Sequence, residues 1–103
     1  MWTPLHYAAL GGHEAIAQQL LEAGAPVNAT APNGATPLML AARGGHDRLA
    51  RRLLRAGADL HPRTDAGLDA VAFAKRNQHM ALAAALPRWA EQARQGKLAL
   101  DAP

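Results

Sequence analysis

The apolar residues of the chain recur in short groups that have the spacing of helix faces. Between Glu14 and Ala23, the side chains of Ile16, Leu20 and Leu21 fall on one side of a helix, and the stretch from Asp47 to Ala56 repeats the arrangement. Charged and amide side chains occupy most of the other positions in both stretches. The pattern predicts two amphipathic helices whose apolar faces pack against neighbouring helices.

Each of these helices follows a shorter predicted helix with recognisable end signals. Thr3-Pro4 and Thr36-Pro37 combine a residue that caps a helix N-terminus with a proline at the first helical position, where its missing N–H costs nothing. Gly11-Gly12 and Gly44-Gly45 then supply glycines that accept the left-handed conformation at a helix C-terminus. The sequence therefore predicts two helix-turn-helix units.

The chain also repeats itself. Thr3-Pro4-Leu5 recurs as Thr36-Pro37-Leu38 at an offset of 33 residues, and a third copy is decayed, with Asp69-Ala70 in place of Thr-Pro. Asn33-Gly34 and Ala66-Gly67 favour tight turns at the tips of short hairpins between the copies. The same offset relates further pairs: Ala8-Ala9 and Ala41-Ala42, Gly11-Gly12-His13 and Gly44-Gly45-His46, Leu20-Leu21 and Leu53-Leu54, and Ala23-Gly24-Ala25 and Ala56-Gly57-Ala58.

The stretches Thr3-Pro4-Leu5-His6-Tyr7-Ala8-Ala9 and Leu20-Leu21-Glu22-Ala23-Gly24-Ala25 resemble the signature of the ankyrin repeat. The resemblance covers roughly residues 1 to 86 and implies an all-α solenoid of helix-turn-helix units with short connecting hairpin loops. We expect one domain over residues 1–103, with repeats at about 1–30, 31–63 and 64–86 and a C-terminal capping segment at 87–103. Pro87 is expected to open an additional short helix that folds Trp89 and Ala93 back onto the last repeat.

Composition narrows the class of protein further. Hydrophobic residues make up 50% of the chain but aromatic residues only 4%, which suits closely packed helices better than a β-sandwich. There is no cysteine, no apolar run long enough to cross a bilayer and no signal-peptide pattern at the N-terminus. We expect a cytoplasmic protein, and its Ala- and Arg-rich composition suggests a bacterial source. The net charge of +3 allows an acidic partner, although GC-rich codon usage is the simpler explanation of the arginines.

No group of residues in the sequence fits a catalytic or metal site. His13, His46 and His79 recur at the repeat spacing, but equivalent residues of stacked helices lie roughly 10 Å apart, too far to share one zinc ion. A structural role in the turn between two helices is the better interpretation. His6 matches the ankyrin histidine, which the resemblance implies bonds backbone near the turn, and the chain has no serine or cysteine to act as a nucleophile beside it. We expect no enzyme activity, no cofactor and no bound metal.

The ankyrin resemblance implies a protein partner that binds the hairpin tips and the exposed side of the first helices. Arg43 and Arg76 lie one repeat apart, and Arg63 on the connecting hairpin is expected to complete a basic strip beside apolar side chains. The full predicted surface consists of Trp2, Leu10, Thr30, Pro32, Asn33, Ala35, Arg43, Arg63, Asp65, Leu68, Arg76 and Asn77.

Two other functions remain open at this point. The arginines of the second predicted helix suggest nucleic-acid binding, but aromatic stacking residues do not accompany them, so a solvated helix face with a Glu22–Arg55 pair is the simpler interpretation. The abrupt start within a repeat also suggests a regulatory piece of a larger enzyme. The arginines in question are Arg48, Arg51, Arg52 and Arg55.

The start of the sequence leads to one more expectation. Met1-Trp2-Thr3 enters the first repeat without a preceding hairpin, so Leu5, Ile16 and Leu20 are expected to be only partly covered. Either the chain is a fragment of a longer array, or this face self-associates or meets a partner, with Trp2 near the contact. The simpler role for Trp2 is to shield the end of the stack.

Overall fold

The computed structural model describes residues 1–100 and consists of paired helices joined by short loops, with no β-strand in that range. The last three residues of the predicted capping segment, 101–103, lie outside the described residues. Within residues 1–100, no helix is both long enough and apolar enough to cross a membrane. The helices are α1 (Pro4–Gly11), α2 (Glu14–Glu22), α3 (Pro37–Gly44), α4 (Asp47–Arg55), α5 (Ala70–Arg76) and α6 (Met80–Arg94).

The predicted ends of α1 are confirmed. The Thr3 hydroxyl accepts a hydrogen bond from the His6 backbone N–H, and the Thr3 backbone N–H donates to His6 Nδ1 at 3.1 Å, which forms a capping box. At the other end, Gly12 adopts a left-handed conformation with φ of 71°. The helix therefore begins and ends where its threonine and glycine signals place it.

The first helices of the second and third units are also capped at their N-termini, but by different side-chain groups. In α3 the sulfur of Met39 replaces the histidine ring and accepts the Thr36 N–H at 3.4 Å. In α5 the carboxylate of Asp69 caps the helix by accepting the Ala72 N–H at 2.9 Å. The third unit also places Gln78 at φ of 66°, a left-handed conformation that strains a residue with a Cβ atom.

The helices form two layers. The first helices α1, α3 and α5 pack side by side, and α2, α4 and α6 form the second layer across them. Alanine fills the seam between first helices, where Ala9, Ala41 and Ala74 are completely buried. Leu53 is likewise completely buried on α4, so the predicted inward face of that helix is confirmed.

The loops between units form the expected short turns. The Ala31 N–H donates to the Ala35 carbonyl at 2.9 Å, and the Thr64 N–H donates to the Leu68 carbonyl at the same distance in the next loop. The two loops are joined because the Asp65 N–H donates to the Asn33 carbonyl at 3.0 Å. The hairpin loops thus lie next to each other along the stack.

Three histidines, His6, His46 and His79, make contacts between neighbouring units. His46 Nε2 donates to the Leu10 carbonyl at 2.9 Å, and its ring lies so close to Gly12 that a Cβ atom there would come within 2.6 Å of it. His79 packs against Gly45 in the same way. His6 Nε2 donates to the Ala35 carbonyl at 2.9 Å, which confirms that this histidine bonds backbone.

Pro87 does not open a separate helix, contrary to the expectation from sequence. It lies inside α6, which continues to Arg94 although the proline cannot donate a backbone hydrogen bond. Leu82, Leu86 and Trp89 explain the continuity, since they share one helix face and are all buried. Trp89 does fold back onto the stack, but its ring contacts Arg51 of α4, in the second unit and not in the last one.

Candidate protein-binding surface

Most of the predicted surface residues are accessible. Trp2, Leu10 and Leu68 are half-buried and Ala35 is buried, which leaves the other eight residues as the exposed part of the surface. The exposed members are Thr30, Pro32, Asn33, Arg43, Arg63, Asp65, Arg76 and Asn77.

Ala35 cannot serve as a contact residue through its side chain. Only 2% of its surface is exposed, because it lies where the hairpin loop meets α1 and its carbonyl accepts the hydrogen bond from His6. Asn33 is exposed, but its side-chain oxygen accepts the Ala35 N–H at 3.1 Å and so shapes the turn. The sequence prediction of Ala35 as a surface residue was wrong.

Four of the predicted residues line a single open pocket of about 360 Å³, together with Phe73. Arg43 lies in the last turn of α3 and Arg76 in the last turn of α5, so the packing of these two helices brings both guanidinium groups to the pocket. Leu68 and Phe73 are half-buried and give the pocket an apolar part. Asn77 completes its rim.

Phe73 was missed by the sequence prediction. It lies three residues before Arg76 on α5, a spacing that places two side chains on the same side of a helix. Since it is the only phenylalanine in the chain, an aromatic residue at this distance from a candidate contact arginine was the available signal. Arg63, in contrast, does not line the pocket, so the predicted strip of three arginines is reduced to a pair.

The pocket arginines have no anionic partner within residues 1–100. Neither Arg43 nor Arg76 forms an ion pair or a side-chain hydrogen bond with any described residue. Their position near helix C-termini is favourable, because a cation there offsets the negative end of the helix dipole. The helix dipole therefore favours both positive charges at these positions, and both guanidinium groups remain available to a ligand.

The arginines of α4 are arranged differently. Arg48 Nε and Arg52 Nε both donate to Glu14 Oε1, at 2.7 and 2.6 Å, and Arg52 also donates to Gln18 Oε1 at 2.8 Å. Burial raises the pKa of Glu14, but the hydrogen bonds from Arg52 and Arg48 and their positive charges outweigh it and hold this pKa below its ordinary value. The cluster links α2 to α4.

Arg51 is not the solvated residue that its sequence position suggested. Its guanidinium group lies over the ring of Trp89, 4.3 Å from the ring centroid, and its Nη1 donates to the Leu100 carbonyl at 2.9 Å. It therefore joins α4 to α6 and to the C-terminal segment. The suggested Glu22–Arg55 pair is not among the ion pairs of the described residues, and Glu14 makes the link between α2 and α4 instead.

The outer face of the first unit is covered more than expected at Leu5, and it is partly covered, as expected, at Ile16 and Leu20. Leu5 is 1% exposed, so its predicted partial exposure was wrong, whereas Ile16 is 52% exposed. The Trp2 ring packs beside His6 and Tyr7, with centroid distances of 5.9 and 5.1 Å. Trp2 thus shields the start of α1, while Tyr7 and Ile16 remain exposed apolar side chains.

The described residues contain no group of three or more His, Asp or Glu side chains close enough to hold a metal ion. Of the repeated histidines, His46 and His79 contact the preceding unit, as the Leu10 carbonyl bond of His46 illustrates. The pocket itself is lined by two guanidinium groups, one amide and two apolar side chains. Such a set can bind an anion and an apolar group, and it offers no proton-transfer residue near neutral pH.

Comparison with known proteins agrees with this architecture. The family model for ankyrin repeats, which comprises three copies of the repeat, matches residues 1–64, and α5 and α6 continue the helix pairing beyond the match. None of the curated proteins compared with the chain matches it. The match spans more than half of the sequence and agrees with the caps, turns and helix pairs described above, so the chain belongs to the ankyrin repeat family.

Proposed function

We propose that the protein is a non-enzymatic binding module, an adaptor or inhibitor, that holds a protein partner on the side formed by the hairpin loops and the first helices. Ankyrin repeats are generally protein–protein interaction modules, which supports the general class. The observation that supports this side of the molecule is the open pocket between α3 and α5, where Arg43 and Arg76 meet Leu68 and Phe73. Arginine beside aromatic residues is typical of the energetically important part of a protein interface.

Nucleic-acid binding is the weaker alternative. Arg48 and Arg52 are held by Glu14, and Arg51 lies against Trp89 and the Leu100 carbonyl, so binding phosphates would require these contacts to be given up. The Trp89 ring is 5% exposed and covered by Arg51, so it is not available to stack on a base. A module within a larger enzyme would bind its target through the same surface, as a regulatory segment.

Site-specific cross-linking tests the proposed side directly. A photoreactive phenylalanine analogue replaces Arg63, which is exposed on a hairpin loop, and in a second variant replaces Gln19, which is exposed on α2. Expressed in the source cell, the Arg63 variant should cross-link a partner that mass spectrometry identifies, and the Gln19 variant should not. Equal cross-linking from both positions, or from Gln19 alone, would contradict the proposed side.

Self-association through the outer face of α1 and α2 stays a prediction. Tyr7 is 64% exposed and Ile16 is 52% exposed, which supports contact between two such faces. Sedimentation should then show a concentration-dependent dimer that the Tyr7→Glu/Ile16→Glu variant lacks. A monomer at every concentration would leave the face without this role.

The cytoplasmic location and bacterial source also stay predictions.

A further inference from the structure

The pocket between α3 and α5 differs from two other open pockets in its charge. A pocket of about 490 Å³ between α2 and α4 is lined by Glu22 as well as Arg55, and one of about 580 Å³ beside α6 is lined by Glu91 as well as Arg94. Both of these pockets therefore have acidic as well as basic side chains in their lining. The α3–α5 pocket has arginines and no acidic side chain among its lining residues.

We infer that this pocket binds an acidic segment of the partner protein, with one Asp or Glu carboxylate held between Arg43 and Arg76 and an adjacent large apolar side chain held against Leu68 and Phe73. The inference rests on the proposed function, since it identifies the chemistry of the partner that the same surface takes. It commits to a side-chain carboxylate within a protein segment rather than to a phosphate group.

The charge of the pocket is the first reason. A guanidinium group presents a planar set of N–H donors that matches a carboxylate, and hydrogen bonds between two charged groups are about twice as strong as neutral ones. Neither Arg43 nor Arg76 forms an ion pair within residues 1–100, so an incoming carboxylate displaces no described acidic partner. The positive charge of the pocket is therefore complementary to an anion.

The apolar part of the pocket is the second reason. Leu68 and Phe73 are half-buried although they lie beside two charged side chains, so part of their surface faces the pocket rather than the core. A volume of about 360 Å³ is near the lower end of known ligand pockets, which hold roughly 300–1,000 Å³. It suits one or two side chains of a peptide and is small for a whole folded surface.

Asn77 adds a polar group that suits a peptide. Its side-chain N–H donates to the Phe73 carbonyl at 2.8 Å. This bond fixes the amide group and uses only its nitrogen, so the side-chain oxygen can still accept a hydrogen bond. A backbone N–H of a bound segment is a matching donor. The lining therefore offers a donor pair for a carboxylate, an apolar surface for its neighbour and an acceptor for the backbone between them.

The competing explanation is that the arginines only stabilise the helices. A cation in the last turn of a helix stabilises that helix by offsetting the helix dipole, with no ligand involved. This explanation accounts for Arg43 and Arg76 separately. It does not account for the two half-buried apolar side chains that line the pocket with them, and it predicts no preference for any ligand.

The test is an NMR titration of the full chain. The side-chain Nε–Hε signals of arginine and the backbone amide signals are recorded at each probe concentration. The probe is acetyl-leucyl-glutamate N-methylamide, and its glutamine counterpart has the same shape without the charge. We expect the glutamate probe to shift the signals of Arg43, Arg76 and Phe73, and the glutamine probe to bind at least about tenfold more weakly, because a charged hydrogen bond is lost. Acetyl-alanyl-glutamate N-methylamide should bind at least about threefold more weakly, because it buries less apolar surface.

Matched variants separate binding from stability. Arg43→Gln/Arg76→Gln should lose the response to the glutamate probe. The control variant, Arg55→Gln/Arg88→Gln, also removes two positive charges, from exposed positions on α4 and α6. Arg55 lies in the last turn of its helix, as Arg43 and Arg76 do. This control should retain the response, whereas the helix-dipole explanation predicts no response in any of these proteins.

Several outcomes would overturn the inference. One is the absence of shifts at Arg43 and Arg76 up to about 10 mM glutamate probe, above the Kd of a weak ligand. Others are equal binding of the glutamine probe and stronger binding of inorganic phosphate at the same signals, which would make the pocket a phosphate site. If the probes fail while Arg63 still cross-links a partner, only this inference is wrong. If cross-linking at Arg63 fails as well, the proposed function is wrong too.

Discussion

The contact between Arg51 and Trp89 should stabilise the fold measurably, although the helical spacing of Arg51 predicts a position on the outer face of α4. A cation over a tryptophan ring contributes about 0.5–1 kcal/mol at an exposed site and about 2 kcal/mol when water is excluded. Trp89 is 5% exposed, so the upper part of that range applies. The hydrogen bond from Arg51 to the Leu100 carbonyl adds to it. We expect Arg51→Ala to lower the free energy of unfolding by about 2 kcal/mol.

The assay is a double-mutant cycle in denaturant melts with Arg51→Ala, Trp89→Leu and the combined variant. Trp89→Leu alone is expected to cost more than Arg51→Ala because it also leaves a cavity, and that cost cancels in the cycle. The coupling between the two side chains should lie between about 0.5 and 2 kcal/mol. In a domain of this size, each 1 kcal/mol lost lowers Tm by about 4–8 °C.

Arg55→Ala is the control, because Arg55 is exposed on the same helix and should cost under about 0.5 kcal/mol. Arg51→Lys is a second comparison, since it keeps the charge and loses the planar group that lies on the ring. If Arg51→Ala costs no more than Arg55→Ala and the coupling to Trp89 is below about 0.3 kcal/mol, the stacking does not hold α6 to α4.

Three further predictions follow from other contacts. Leu53→Ala should cost about 2–5 kcal/mol in a denaturant melt, because the side chain is completely buried, and a loss under about 1 kcal/mol would contradict its core position. Glu14→Gln should cost about 1 kcal/mol at neutral pH. Because the folded-state pKa of Glu14 is lowered, its contribution is present above the ordinary carboxyl pKa of 4.5 and is lost as pH falls through the lowered value, so the two proteins should become equally stable in acid. Gln78→Gly should raise Tm, since glycine adopts φ of 66° without strain, and a lower Tm would show that the Gln78 side chain makes a compensating contact.

The ends of the helices could be predicted because their signals are local. A threonine followed by proline fixes the start of α1 and of α3, and Gly12 and Gly45 end them with φ of 71° and 72°. These effects depend on residues within one helical turn, so they survive whatever the rest of the chain does. The same locality made the hairpin turns predictable.

The second layer was harder to predict because its contacts are between units. Pro87 is a local signal for a helix start, yet the buried face of Leu82, Leu86 and Trp89 outweighs it and keeps α6 continuous. Arg51 has the polar spacing of a solvated face, but its partner Trp89 lies far along the sequence. Periodicity predicts the direction of a side chain around its own helix. It does not predict which residue of another helix contacts that side chain.

The candidate site was predictable to the extent that repeats superpose. The 33-residue offset places Arg43 and Arg76 one above the other, and the structure brings both to one pocket with Leu68 and Asn77. Ala35 was misplaced because a small residue on a loop gives no signal of whether it faces outward or inward. Phe73 was missed because its equivalents give no consistent signal: Leu40 is buried in the second unit, whereas Tyr7 is exposed in the first.

The departures of the third unit from the repeat pattern are what give the pocket its polar side chain. The equivalents of Asn77 are Gly11 and Gly44, where a Cβ atom would lie 2.5 and 2.3 Å from the Nε2 atoms of His13 and His46. A side chain at this position would therefore require the histidine ring to move. The third unit carries asparagine there, with its amide bonded to the Phe73 carbonyl. The loss of the paired glycines weakens the repeat signature and leads to the strained Gln78, but it adds to the α3–α5 pocket a hydrogen-bonding side chain that the other two units lack.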